Sequence, residues 1–255
     1  MTAFQQPKVR TATRSPLYIQ VRDILVERLR EGEWKPGDRL PTETELAQET
    51  GVSLGTLRRA VELLVEEGAL IRHQGSGTYA ATLKNTAEGN RFQPFESLDG
   101  STRFDYRKLI SVTREPVPAE AAAGLGVHEG QEIIHVIRHM MKHTPEGDKI
   151  VASDELFLLP NVFAGLTTER YREKVRPEDS IYKFYARELG VVITSQHCAV
   201  RYECVTGTLA KALQVPDPMP VLRFARISMA YGHQPVEYRI YRLNAENSQI
   251  CFDLR

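Results

Sequence analysis

The chain has 255 residues, of which 42% are hydrophobic, and its 33 basic and 33 acidic side chains cancel. The length suits one large or two ordinary domains with buried cores, and no apolar run approaches the roughly 18 residues of a membrane-spanning helix. Three cysteines, Cys198, Cys204 and Cys251, form no CxxC pair and fit a reducing, cytoplasmic setting rather than a disulfide framework.

Residues 1–14 are polar, lack the apolar core of a secretory signal, and are expected to form a flexible arm. Ser15-Pro16 opens a helix, with serine as the cap and proline at the first helical position. Leu17, Ile19, Val21, Ile24, Leu25 and Leu29 follow, and Gly32 ends it. Pro36-Gly37-Asp38 is a turn. Thr42 and Glu45 make a capping box for a second helix, which Gly51 closes. Ser53 caps a third helix, in which Leu57, Ala60, Val61, Leu64 and Val65 recur at helical spacing. Its opposite face carries Gly55, Thr56, Arg58, Arg59 and Glu62. A helix that presents small polar residues and arginines from its first turns can enter the major groove and reach base edges and phosphates. After Gly68, Ala69–Arg72 and Thr78–Ala80 pair as strands around the glycine-rich tip His73-Gln74-Gly75-Ser76-Gly77. The first 84 residues carry twelve basic against eleven acidic side chains. They lack the basic footprint of many DNA-binding domains, so positive charge has to be local.

The pieces LPTETELA, GVSLGTLRRA and RHQGSGTY resemble the GntR family of bacterial winged-helix repressors, whose pattern is roughly LPSERELA, then VSRMTVRQAL, then R-x-QGxGTF. The resemblance implies a winged helix-turn-helix over residues 15–80 that reads double-stranded, palindromic operator DNA. The implied DNA-binding residues are Thr42, Thr44, Ser53, Gly55, Thr56, Arg58, Arg59, Gly75, Ser76 and Gly77. Two positions depart from the pattern: the family usually has arginine where Thr44 stands, and often where Leu54 stands.

Residues 81–97 are polar and read as a linker, and the pattern then changes. Tyr106–Glu115 alternates as a strand, Pro118–Leu125 is an alanine-rich helix ended by Gly126, and Gln131–His143 is a β-branched strand. A turn over residues 144–148 leads to its partner strand, Lys149–Leu159. Asp179-Ser180 caps a helix through Leu189, Val191–Val205 is a long strand, and Thr206–Leu213 is a short helix. Val221–Tyr231, Pro235–Leu243 and Gln249–Leu254 are strands. Hairpins with interspersed helices give an α+β fold on an antiparallel sheet.

The order of these elements, with VIRHMMKHTPEGDKIVASDELFLLP, DSIYKFYARELG and PMPVLRFARISMAYGHQPVEY, resembles the UTRA effector domain of the HutC subfamily over residues 98–255. That resemblance implies a chorismate-lyase-like sheet that binds a small-molecule effector and makes much of a homodimer contact. It places Arg138, Ser180, Tyr182, Glu237 and Tyr241 in the effector pocket. The local chemistry agrees. A helix start at Ser180 offers free N–H groups to an anion, Arg138 would complete the site, and Glu237 would accept a ligand hydroxyl or ammonium or pair with Arg138. Many relatives carry a second arginine where Met140 stands, which points to a ligand less charged than a sugar phosphate.

His135, His139 and His143 are spaced as metal ligands would be on a helix, but the sequence around them is a strand. Four strand residues span about 13 Å, too far for neighbours to share one ion. No metal or cofactor is expected, and these histidines should face outward. Gly75-x-Gly77 and Gly124-x-Gly126 lack the context of a dinucleotide site, and no catalytic set is recognisable. The expectation is a cytoplasmic, ligand-responsive transcriptional regulator, a repressor acting as a homodimer. The alternatives are a chorismate-lyase-like enzyme and an effector-independent DNA-binding protein.

Overall fold

The computed structural model describes residues 15–81, 95–97, 104–175, 180–244 and 248–250. The expected arm, most of the linker and the end of the last strand lie outside them. The chain divides into two compact units, the first gathering the N-terminal elements with Val192–Ser195 and Met229–Gln234.

In the first unit, α1 (Leu17–Arg30), α2 (Glu43–Thr50) and α3 (Leu54–Glu66) precede β1 (Leu70–His73) and β2 (Gly77–Ala80). The apolar stripes meet as their spacing requires: Val21, Leu25, Leu46, Leu57, Ala60, Val61 and Leu64 are all fully buried. Val65, read as a core position, is only half-buried. The capping box is present, with the Thr42 side chain accepting from Glu45 N and the Glu45 side chain accepting from Thr42 N. Gly51 takes the left-handed conformation at φ 71° that ends α2. Ser53 caps α3 by accepting from Thr56 N. At α1 the expectation shifts by one residue: Pro16 is the cap position, with no side-chain bond, so Ser15 does not cap. Trp34 is buried beneath the Arg28 guanidinium, 4.4 Å from its ring centre. β1 and β2 pair antiparallel with Ile71 opposite Tyr79, forming the wing.

The second unit is built on a six-stranded sheet. Its strands in chain order are β4 (Tyr106–Pro116), β5 (Glu132–Thr144), β6 (Gly147–Leu158), β7 (Ser195–Val205), β8 (Met219–Ala230) and β9 (Gln234–Asn244). A separate pair is formed by β3 (Phe95–Ser97) and β10 (Ser248–Ile250). The spatial order is β4-β5-β6-β9-β8-β7. The β5–β6 hairpin continues to Thr144 opposite Gly147, so the turn is tighter than the five residues expected. Val191–Thr194, expected in a strand, precede β7 without joining it.

Helix α4 (Ala119–Leu125) covers one face of the sheet, where Ala121, Ala122 and Leu125 pack with Ile133, Phe157, Tyr238 and Ile240. Gly124 permits this closeness, since a Cβ there would collide with the Tyr238 ring. The opposite face meets α5 (Thr168–Lys174), which the sequence reading did not anticipate, and α6 (Ile181–Leu189), through Tyr171, Tyr182 and Tyr185. Helix α7 (Gly207–Leu213) packs Leu213 with Val205, Met219 and Val221.

Candidate functional site

On the winged helix, Thr42, Thr44, Ser53, Gly55, Arg58, Arg59, Gly75 and Ser76 are exposed, and Thr56 and Gly77 are half-buried. Glu43, not singled out from sequence, ties two of its parts together. It accepts from Arg58 Nε of α3 at 2.9 Å and from Arg72 Nη2 of the wing at 2.6 Å. Arg59 pairs with Glu62 at 3.2 Å. A concavity of about 420 Å³ lies between the start of α2 and the wing, lined among others by Arg39, Thr42, Glu43, Arg72 and Gly75. Gly75 sits at φ +74°, and a Cβ there would meet nothing within 4 Å. The tip is therefore open to an approaching surface, and its constraint is the backbone angle.

The second site is a buried polar centre on the α5–α6 face of the sheet. Register brings it together: Arg138 of β5 faces Asp154 of β6, which faces Tyr241 of β9, while Glu237 and Arg239 of β9 face Leu158 and Leu156. Arg138, Asp154, Glu237, Arg239 and Tyr241 are each no more than 1% exposed. Asp154 accepts from Arg138 Nε at 3.0 Å and also from its Nη2, and from Arg239 Nε and Nη2 at 2.5 and 2.8 Å. Burial alone would push the Asp154 carboxyl up; the two guanidinium groups outweigh it and hold it below the usual carboxylate range. Tyr171 Oη accepts from Arg138 Nη1 at 3.2 Å.

Glu237 is held apart from Arg138. It accepts from Tyr182 Oη at 3.1 Å, Tyr185 Oη at 2.9 Å and Ser228 Oγ at 2.8 Å. Of the two roles offered for Glu237, the pair with Arg138 is not formed: Asp154, with Tyr171, holds Arg138, and hydroxyls hold Glu237. Burial raises the Tyr185 hydroxyl well above its usual value, and the Glu237 charge adds to the shift. Gln196 Nε2 donates to Tyr182 Oη at 2.6 Å and to Ser228 Oγ at 2.8 Å. Ser180 caps α6, accepting from Tyr182 N at 3.3 Å.

Two further arginines complete this face. Arg107 of β4 lies opposite Met140, and its pKa is lowered to about 10 by burial and by the Arg138 and Arg239 charges. Arg226 of β8 is 1% exposed, and among the described residues none of its three guanidinium nitrogens has a hydrogen-bond partner. Asp154, Arg226 and Arg239 escaped the sequence reading as site residues, although each is a charge inside an apolar strand, which is the signal that marks them.

The histidine expectation is corrected in part. His135 and His139 are buried, His135 stacking on Phe157 at 4.4 Å between ring centres and pairing with Glu115 at 2.8 Å, and only His143 is exposed. Among the described residues no group of three or more potential ligands could hold a metal, and no helix is long and apolar enough to cross a membrane.

The described residues thus form a winged helix-turn-helix and a six-stranded antiparallel sheet around a buried polar centre. Residues 17–80 match the family of bacterial regulatory proteins called gntR, and residues 107–248 match the UTRA domain. The chain belongs to the UTRA-domain family, and a helix-turn-helix of the gntR type precedes that domain in its sequence.

It is 33% identical over 135 residues to a histidine utilization repressor of Pseudomonas putida, an alignment covering 51% of this chain and 54% of that protein. The chain thus spans about half the length of that relative. It is 28% identical over 218 residues to the mannosyl-D-glycerate transport/metabolism system repressor MngR of Escherichia coli, covering 85% of each. Among solved structures, the ligand-binding domain of a GntR-family regulator from Bordetella bronchiseptica matches with a TM-score of 0.54 at 22% identity, over 64% of this chain and 96% of that one. The possible transcriptional regulator YydK of Bacillus subtilis matches with a TM-score of 0.51 at 22% identity, over 94% of this chain and all of the other.

Proposed function

We propose that the protein is a HutC-type repressor whose operator affinity is set by a small organic anion bound in the sheet domain, and that it is not an enzyme. The division of labour is winged helix over residues 15–80, linker over 81–97, and effector and dimerisation domain over 98–255. Arg58 and Arg59 with the wing tip meet DNA, and Arg138, Ser180, Tyr182, Glu237 and Tyr241 belong to the effector site. One recognition helix reads one half-site, so a homodimer on a two-fold operator is the economical arrangement. Relatives named as repressors of histidine utilization and of mannosylglycerate metabolism support control by a metabolite.

The observation that carries the reading is the charge on the α5–α6 face of the sheet. Arg107, Arg138, Arg226 and Arg239 stand against two carboxylates, Asp154 and Glu237, and both acids are fully engaged. Such a face favours an anion.

The test is a titration of a DNA fragment from upstream of the protein's own gene, with and without a panel of small organic acids. Direct binding, and at least one acid that changes affinity by about 5–150-fold, is the expected result. A purified dimer that ignores the fragment, or binds it identically under every acid, overturns the proposal.

The wing offers a separate check. Gly75 stands at φ +74°, where a β-branched residue costs about 1–2 kcal/mol. Gly75→Val should reshape the tip and weaken operator binding several-fold, while the circular dichroism spectrum and the dimer stay as in the wild type. Normal affinity in that variant would take the wing off the DNA.

A further inference from the structure

A buried arginine without an acceptor is a physical problem, and Arg226 has none among the described residues. An arginine stays charged at all accessible pH values, and a cation taken out of water is costly unless paired. Arg138 and Arg239 share Asp154, and the oxygens of Glu237 are taken by Tyr182, Tyr185 and Ser228. Arg226 alternates along β8 with Phe224 and Ser228, and these three residues are fully buried. Among the described residues all three of its guanidinium nitrogens go without a bond.

We infer that Arg226, rather than Arg138, anchors the charged end of the effector, and that the ligand is a monocarboxylate with an apolar body. This rests on the reading of the sheet domain as an effector site. A planar fork of N–H donors fits a carboxylate in two parallel hydrogen bonds. The two oxygens of one carboxylate fill such a fork in its own plane, which the tetrahedral oxygens of a phosphate do not.

The apolar body follows from the neighbours. The Arg226 guanidinium carbon lies 5.9 Å from the centre of the Phe224 ring. Phe224 belongs to an apolar cluster with Met140 and Tyr241 and meets the Tyr241 ring edge to face at 6.2 Å. On the other side, Ser228 leads to Gln196 and Glu237. A ligand anchored at Arg226 therefore sits between an apolar cluster and a set of hydrogen-bonding groups.

The test uses the full chain and benzoate as probe, with acetate and inorganic phosphate for comparison, each against potassium chloride at equal ionic strength. Saturating benzoate should raise the wild-type melting temperature by about 3 °C, as expected for a ligand that binds only the folded form, with acetate weaker and phosphate inactive. Arg226→Met keeps the length of the side chain and removes the charge. It should melt at or above the wild type in chloride and show no benzoate shift. Arg226→Lys, which keeps the charge without the fork, should retain a smaller shift.

An equal benzoate shift in wild type and Arg226→Met, no shift in the wild type, phosphate acting as strongly as benzoate, or an Arg226→Met chain that melts well below the wild type in chloride would each overturn the assignment. Operator titration separates this failure from failure of the functional reading. An organic acid that alters DNA affinity equally in wild type and Arg226→Met leaves the regulator standing and removes Arg226. A benzoate shift that depends on Arg226, with no acid altering DNA affinity, leaves the site standing and removes the regulation.

Discussion

Asp154→Ala is expected to destabilise the sheet domain by about 3–5 kcal/mol, the cost of stranding a buried charge by deleting its partner. Asp154 is fully buried and accepts from two arginines, on β5 and β9, that are each 1% exposed. Removing it leaves both without their shared carboxylate, beside Arg107 and Arg226 on the same face. Chemical denaturation followed by circular dichroism should show the midpoint falling sharply. A midpoint equal to that of the wild type would mean that the cluster is compensated in some other way.

The same pair predicts an acid limit. The folded-state carboxyl is depressed, so its contribution is complete above the ordinary aspartate pKa of about 3.9. It is lost only as pH falls below that value and through the depressed folded one. Wild-type stability should therefore show a component that persists to about pH 4 and then declines, and Asp154→Ala should lack it. Arg138→Ala acts on the same cluster, so a lost ligand response in that variant would report damaged structure as much as a lost contact.

Arg58→Ala is expected to weaken operator binding by about 1–3 kcal/mol if the guanidinium pairs with a guanine. The side chain is 59% exposed on the polar face of α3, and among the described residues its partner is Glu43 at 2.9 Å. It contributes nothing to the core, so the folded spectrum should not change. A folded variant with unaltered affinity in a gel-shift titration would remove Arg58 from the interface.

The winged helix was legible almost to the residue because its signals are local. Thr42 and Glu45 cap three residues apart, Gly51 takes its left-handed angle within one turn, and Leu57, Ala60, Val61 and Leu64 share a face by periodicity alone. The sheet domain was legible as an order of strands, and Glu237, Arg239 and Tyr241 do share a buried face as period two requires. Its pairings were not legible. That Arg138 meets Asp154 depends on the β5–β6 register, and that Asp154 also meets Arg239 depends on a strand 85 residues away. Tyr171 was missed with its short helix, which spans only residues 168–174. Two of the three strand histidines turned out buried because residues that look solvent-facing on an isolated strand acquire neighbours, Phe157 and Glu115 for His135, once the sheet assembles.

The ion pairs on the reading face bear on how the protein would search a genome. Arg58 and Arg72 share Glu43, and Arg59 leans on Glu62. Each pair is surface-exposed and worth no more than about 1 kcal/mol, so a correctly placed base or phosphate can displace it. Away from such a place, Glu43 presents its own negative charge to the duplex. Counterion release is then small, and the dependence of affinity on salt should be shallower than the slope of about −0.9 per phosphate that a bare arginine gives. Random sequence would hold the protein briefly, and long residence would be confined to sites where the bases themselves draw the arginines away from Glu43.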